Sequence, residues 1–218
     1  MTARATDNFN RANGALGANW TGGAGEDACT IVSNLINFSG GNGLGFDQAS
    51  FFSGTLVGGG TTWPNDQYSK GTVGSSGAAG ADQGPGLLVR HAAAAQTFYR
   101  FSADQAGSNN VTVSKFVSAT YTSLGAVTHA WTTGAIWEID AQGTTLTIKE
   151  SGSTVTTKTD SAITAGNPGI SYSSTDTGTN TVDDWEGGDF VGGAPAIVLT
   201  KVSRRDAWLL GKYWAAQR

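Results

Sequence analysis

Apolar and polar residues alternate with period two along much of this chain. In Val111-Thr112-Val113-Ser114-Lys115-Phe116 and in Thr145-Leu146-Thr147-Ile148-Lys149 the apolar positions share one face, and Thr, Ser or Lys occupy the other. Antiparallel sheets with one solvated face read this way. Strand-like runs recur at 30–38, 50–57, 67–73, 86–91, 97–103, 110–117, 121–127, 135–140, 144–150, 153–159, 169–173 and 180–190. Many short strands at such spacing predict an all-β sandwich or barrel. The connections carry matching turn residues: Gln142-Gly143, Ser151-Gly152-Ser153 and Asn167-Pro168-Gly169. No helical pattern of about 12 residues precedes the C-terminus.

The last segment differs in kind. Gly192-Gly193-Ala194-Pro195 forms a break, after which 196–202 reads as an extended apolar strand. Ser203-Arg204-Arg205-Asp206 then offers a capping-box-like start to a short helix over 204–216. Gly211 weakens that helix by roughly 1 kcal/mol. The reading is a sandwich over 1–190 and a C-terminal docking tail over 191–218. Charge divides the same way: five cations against Asp206 make the tail +4, whereas eight basic and sixteen acidic residues make the rest −8. Arg204, Arg205, Trp208, Leu209, Leu210, Tyr213 and Trp214 make the tail an assembly element for other particle proteins or copies of the chain. Each large apolar side chain gains about 1.5–3 kcal/mol on full burial, so the tail calls for a cover.

Composition narrows the class further. Thirty-two Gly, four Pro and 14% charged residues suit strands joined by tight turns, and 218 residues suit one core. The lone cysteine, Cys29, excludes an intrachain disulfide and reads as a buried thiol. Net charge −4 argues against a nucleic-acid surface. The first residues lack the apolar run of a signal peptide, and no stretch reaches the ~18 apolar residues of a membrane span. These features predict folding in a cytoplasm.

The opening Asp7-Asn8-Phe9-Asn10-Arg11-Ala12-Asn13-Gly14, followed by Leu16-Gly17-Ala18-Asn19-Trp20, resembles the start of concanavalin A-like lectin/glucanase jelly rolls of phage virion and bacterial surface proteins. Asn65-Asp66-Gln67-Tyr68-Ser69 resembles that family's strand after a loop, and Gly86-Leu87-Leu88-Val89-Arg90 its central strand. Gly169-Ile170 and Val182-Asp183-Asp184-Trp185-Glu186-Gly187-Gly188 resemble its closing strands. The resemblance covers residues 7–190 and implies a jelly-roll sandwich, a fold that hosts lectins, glucanases and inert modules alike. Phe9, Leu16 and Trp20 read as core anchors, with Asp7 and Arg11 tying the first strand down.

Function must therefore come from a site. Trp137-Glu138-Ile139-Asp140-Ala141-Gln142 resembles the catalytic strand of laminarinase-type glucanases, where three carboxylates share one cleft. Gln142 and Gly143 stand where the third acid would be, so no catalytic residue is assigned. Glu138 and Asp140 read instead as a solvated strand face. His91 and His129 lack metal-ligand spacing, no G-x-S-x-G elbow is present, and the Gly-rich loops lack a following Lys-Ser/Thr. Asp183 and Asp184, with Glu186 and Asp189 nearby, are the candidate calcium ligands. Exposed aromatics beside amides and acids suit sugars, and Trp63, Asn65, Asp66, His129 and Trp131 form the expected glycan site, with Tyr121 and Tyr172 as further aromatics. The reading is a non-enzymatic phage or surface-assembly module, resident in a virion as the resemblance implies, serving as decoration, fibre or adhesion protein and carrying a glycan-binding face. A dedicated lectin comes second, and an inactive glucanase relative third.

Overall fold

A computed structural model describes residues 1–22, 29–38, 48–74, 84–92, 94–104, 110–130, 132–173 and 180–190. The predicted tail lies outside these residues. The chain forms β1 (Thr2–Asp7), β2 (Gly14–Ala15), β3 (Trp20–Gly22), β4 (Thr30–Val32), β5 (Leu35–Phe38), β6 (Gln48–Phe52), β7 (Gln67–Val73) and β8 (Gly84–His91). It continues through β9 (Phe98–Asp104), β10 (Asn110–Val117), β11 (Thr120–Thr128), β12 (Ile136–Gln142), β13 (Thr145–Glu150), β14 (Ser153–Thr159), β15 (Asn167–Ser173) and β16 (Asn180–Asp189). The first sheet runs β14-β13-β12-β7-β16-β5-β4-β2, with β1 beside β16, and the second runs β11-β10-β9-β8-β15-β6-β3.

All pairings are antiparallel, and the predicted alternation builds the space between the sheets. Trp137, Ile139 and Ala141 of β12 and Leu146 and Ile148 of β13 meet Val111 and Val113 of β10 and Tyr99 and Phe101 of β9 in one core. Aromatic rings fill one end of it. Trp185 lies 4.7 Å from Trp20, 5.4 Å from Phe52 and 6.5 Å from Trp63.

The opening motif acts as a staple. The Asp7 carboxylate accepts from both guanidinium nitrogens of Arg11 (2.6 and 3.0 Å), from the Phe9 N–H (2.9 Å) and from the Trp20 indole (2.8 Å). Phe9, Leu16 and Trp20 are buried, as the sequence predicts. Strands β1, β2 and β3 fall outside the runs expected from alternation, and two of the expected runs are cut short or divided. Residues 30–38 break into a hairpin at Ser33 and Asn34, both at positive φ (54° and 64°), which is how two-residue hairpin turns match strand twist. The run at 50–57 ends as a strand at Phe52, because Ser53 and Gly54 turn away to bond the Asn19 carbonyl.

A buried arginine closes one end of the sandwich. Arg90 of β8 has φ 58° and is 2% exposed. Its guanidinium donates to the carbonyls of Asn65, Ile163 and Gly143, each at 2.9 Å, and so ties three connections to one strand. Gln67 locks the same place: its amide donates to Pro64 and Gly166, and its oxygen accepts the Arg90 N–H. Gly166 passes so close that an added Cβ would lie 2.3 Å from the Arg90 carbonyl carbon.

Arg90→Ala strands three carbonyls and should lower the free energy of unfolding by about 3 kcal/mol or more. Arg90→Lys should recover only part of this, because one ammonium cannot reproduce the planar fork. Urea unfolding of the three proteins measures both.

Candidate functional site

A two-layer sandwich leaves each sheet one face turned from the core, and polar residues there should be wet. On the second sheet they are not. Arg100 and Ser102 of β9, Thr112 and Ser114 of β10 and Ser171 of β15 point away from the core and are all buried, Arg100 to 2% exposure. Strand register assembles them: Arg100 lies opposite Ser114, Ser102 opposite Thr112, and Ser171 opposite Gly86 and Ala49. Arg100 Nε donates to Ser114 Oγ at 3.4 Å. Ser171 Oγ has no hydrogen-bond partner among the described residues.

An aromatic row borders this polar patch. Phe51 stacks on His91 at 4.7 Å, His91 on Phe98 at 5.0 Å, and Phe98 on Phe116 at 4.8 Å; Tyr121 then meets Phe116 edge-on at 5.5 Å. The Arg100 guanidinium carbon lies 5.8 Å from the Phe116 ring centre. Ala49, Gly86 and Gly169 hold side-chain volume low between the polar groups. Hydroxyls, a guanidinium and ring faces side by side are the groups that bind sugar hydroxyls and the apolar faces of sugar rings.

The outward face of the first sheet is charged, and its ions pair with one another. Lys149, Glu138, Lys70 and Glu186 stand directly opposite one another across β13, β12, β7 and β16, alternating in sign. Glu186 accepts from Lys70 (2.9 Å) and from the Tyr68 hydroxyl (2.6 Å). The Tyr68 ring lies over Gly188, where a Cβ would meet it at 2.4 Å. Lys149 Nζ donates to Glu138 Oε1 at 2.7 Å and also bonds Asp140. The expected solvated face is thus a buried cluster: one ammonium holds both carboxylates, and Phe190 adds cover 5.9 Å from the Lys149 nitrogen. Burial, a hydrogen bond with Glu138 and that residue's charge push the Asp140 carboxyl up to about 7, against the pull of Lys149. Gln142, where a third acid would stand, is exposed.

No protein-family model and no curated protein sequence matches this chain. Solved structures do. The carbohydrate-binding module CBM66 from Bacillus subtilis superposes with TM-score 0.56 at 16% identity, over 79% of this chain and 98% of that one. The CBM2 module of the Lactobacillus casei BL23 phage J-1 evolved Dit gives 0.52 at 13%, over 85% and 94%. The Bacillus licheniformis beta-glucanase gives 0.54 at 10%, over 86% and 98%. The fold is a concanavalin A-like jelly roll.

The jelly roll scatters the expected glycan residues. Trp63 is a correction: it is 5% exposed, packs edge-on against Phe52 and Trp185, and donates its indole N–H to the Phe52 carbonyl. Its Gly-rich surroundings suggest a loop tip, yet the ring fills the core. Asn65 gives its carbonyl to Arg90, and Asp66 accepts the Gly143 N–H at 2.7 Å, so both belong to the closed end beyond Gln142. His129 stands at the other end of β12, 2.7 Å from Glu150 and edge-on to Trp137. These residues do not form one site, and Trp131 lies outside the described residues. Tyr172 is core, whereas Tyr121 ends the aromatic row.

Asp183 and Asp184 sit where the β16 register shifts, with Asp184 at φ 46° and its N–H on Asp183 Oδ1. Glu186 is tied to Lys70 and Asp189 to Arg4, while Asp184 and Glu186 line one cavity with Asp7. Among the described residues no three His, Cys, Asp or Glu groups converge as metal ligands. Arg100, Ser102, Thr112 and Ser114 were legible only as an outward face; their burial depends on what lies over the sheet.

Two outcomes follow for this geometry. Trp63→Ala should cost about 3–5 kcal/mol of stability, the range for emptying a buried Trp site, measured by thermal unfolding. For Asp140, the folded-state pKa near 7 exceeds the ordinary 3.8, so the folded protein holds a proton the unfolded chain has lost. Stability should fall as pH rises from about 4 to 7, and Asp140→Asn should flatten that slope in urea melts across the window.

Proposed function

We propose that this chain is a non-enzymatic, glycan-binding module of a phage particle or similar surface assembly, serving as decoration, fibre or adhesion component. Residues 1–190 are the binding sandwich, and 191–218 attach it to the assembly. The observation that carries the binding reading is the buried Arg100–Ser114 and Ser102–Thr112 patch beside the Phe51–His91–Phe98–Phe116 row, outside the core of the sandwich. Hydroxyls, a guanidinium and ring faces gathered on one sheet face are groups that suit sugar recognition. The similar structures, a carbohydrate-binding module and the CBM2 module of a phage Dit, support the same reading. No helix of the described residues is long and apolar enough to cross a membrane.

Hydrolysis is disfavoured by the Lys149 clamp. A retaining glycosidase needs an ionised nucleophile and a separate acid about 5–5.5 Å apart across the bond. Here both carboxylates of the glucanase-like strand lie on one ammonium.

A glycan array paired with a reducing-sugar assay tests the proposal: binding without turnover is expected. Arg100→Ala should weaken the best ligand roughly tenfold or more, the scale of a lost charged hydrogen bond, with melting temperature as the control for folding. Glu138→Gln should leave binding unchanged. Turnover that Glu138→Gln abolishes would replace this reading with an enzyme.

A further inference from the structure

The ion cluster of the first sheet lies on the opposite side of the sandwich from the glycan face, so sugar recognition does not account for it. Register brings it together. Lys149 of β13 stands directly opposite Glu138 of β12, and Asp140 is two residues further along the same face of β12. Lys149 Nζ donates to Glu138 Oε1 at 2.7 Å and touches Asp140 Oδ2. Both carboxylates are buried, and Asp140 Oδ1 has no hydrogen-bond donor among the described residues.

Two rings cover the group. Tyr68 of β7 lies directly opposite Asp140, and Phe190 packs edge-on against Tyr68 at 5.7 Å while standing 5.9 Å from the Lys149 nitrogen. The other charges nearby are committed: Lys70, opposite Glu138, pairs with Glu186, and Asp189 pairs with Arg4. One amine is therefore held between two carboxyl groups under an aromatic cover.

An amine in contact with a buried carboxyl is a pair of reactants as well as an ion pair. Condensation needs the acid protonated and the amine neutral, and burial favours both. Burial and Glu138 already push the Asp140 carboxyl up to about 7. Burial also pulls the Lys149 ammonium down, but its two carboxylate partners outweigh that and hold it above the ordinary lysine value. Passing one proton from Nζ to Asp140 discharges both groups at once. Well-oriented groups held together react as if at about 10⁵–10⁸ M, and the cover keeps water from competing.

We propose that Lys149 and Asp140 condense into an amide cross-link between β13 and β12, with Glu138 as the catalytic base and acid. A proton first passes from Nζ to the Asp140 carboxylate, leaving a neutral amine and a carboxylic acid. The Nζ lone pair then forms a bond to Asp140 Cγ, and the carbonyl π pair moves onto its oxygen. Glu138 takes the proton that Nζ sheds and hands it to the Asp140 hydroxyl. That C–O bond breaks with its electron pair on the departing oxygen, water leaves, the carbonyl re-forms, and Glu138 is again a carboxylate. No oxidant or co-reactant is required. The product staples the hairpin that carries β14 at the sheet edge, and Asp140 titrates only in the chain before the bond forms.

Full-length protein, denatured and weighed by high-resolution mass spectrometry, should be lighter than its sequence by one water. Trypsin should no longer cut after Lys149, whose amine is acylated, and should release 116–158 in place of 116–149. Chymotryptic cleavage at Leu146 should leave the flanking pieces joined. Lys149→Arg should keep the full sequence mass. Glu138→Gln should lose water roughly 100-fold more slowly after refolding from urea, the scale of a lost general acid–base. Far-ultraviolet spectra check that both variants fold, and the wild-type digest stands as a test without them. Wild-type protein that keeps its full mass and is cut normally after Lys149 overturns the proposal. So does a water loss that persists in Lys149→Arg, because the dehydration then lies elsewhere. A Glu138→Gln chain that closes as fast as the wild type removes Glu138 from the reaction.

Discussion

The Arg90 guanidinium is the contact on which the rest of this sandwich depends. It sits near the middle of the second sheet in a left-handed conformation, and each of its three nitrogens donates to a carbonyl from another connection. A buried cation without such partners would carry a desolvation cost of several kcal/mol. With them it fixes where 64–66, the β12–β13 turn and the approach to β15 cross the end of the core. Gln67 and the bare Cα of Gly166 exist in that arrangement because no bulkier or less polar residue fits.

With that end closed, Trp63 and Trp185 fill the core beneath it, and the Asp7 staple holds Trp20 against them. Both outward faces then remain as the places where polar groups can be spent on something other than folding. The first sheet spends them on itself. Its cations and carboxylates are matched in register, and even the unfavourable Glu138–Asp140 neighbours are held by Lys149. The second sheet holds hydroxyls and a guanidinium beside stacked rings, and there the candidate site lies. On the glucanase-like strand, Glu138 and Asp140 share the single ammonium of Lys149.

Strand ends also divide by role. The ends Gln48, Gly84, Asp104, Asn110 and Ser173 gather at one end of the second sheet, away from the Arg90 closure. This end lies next to the Ser171–Gly86 and Ser102–Thr112 rows.

Period-two alternation, turn residues and the Asp7–Trp20 motif determined the all-β class, the strand positions, the jelly-roll resemblance and the inward set that includes Phe9, Leu16, Trp20, Trp137 and Ile139. These are local properties: which side of a strand a residue faces depends on its parity, and a turn on its own few residues. What alternation cannot say is what covers the other side. Glu138 and Asp140 alternate with core residues and so read as solvated, yet they are buried, because Lys149 of the adjoining hairpin strand holds both and Phe190, far along the chain, adds cover. Trp63 looked exposed because glycine surrounds it, yet burying a ring of that size stabilises the core more than any loop contact could. Arg100, Ser102, Thr112 and Ser114 became a site only when register aligned two strands, which no spacing within either strand encodes.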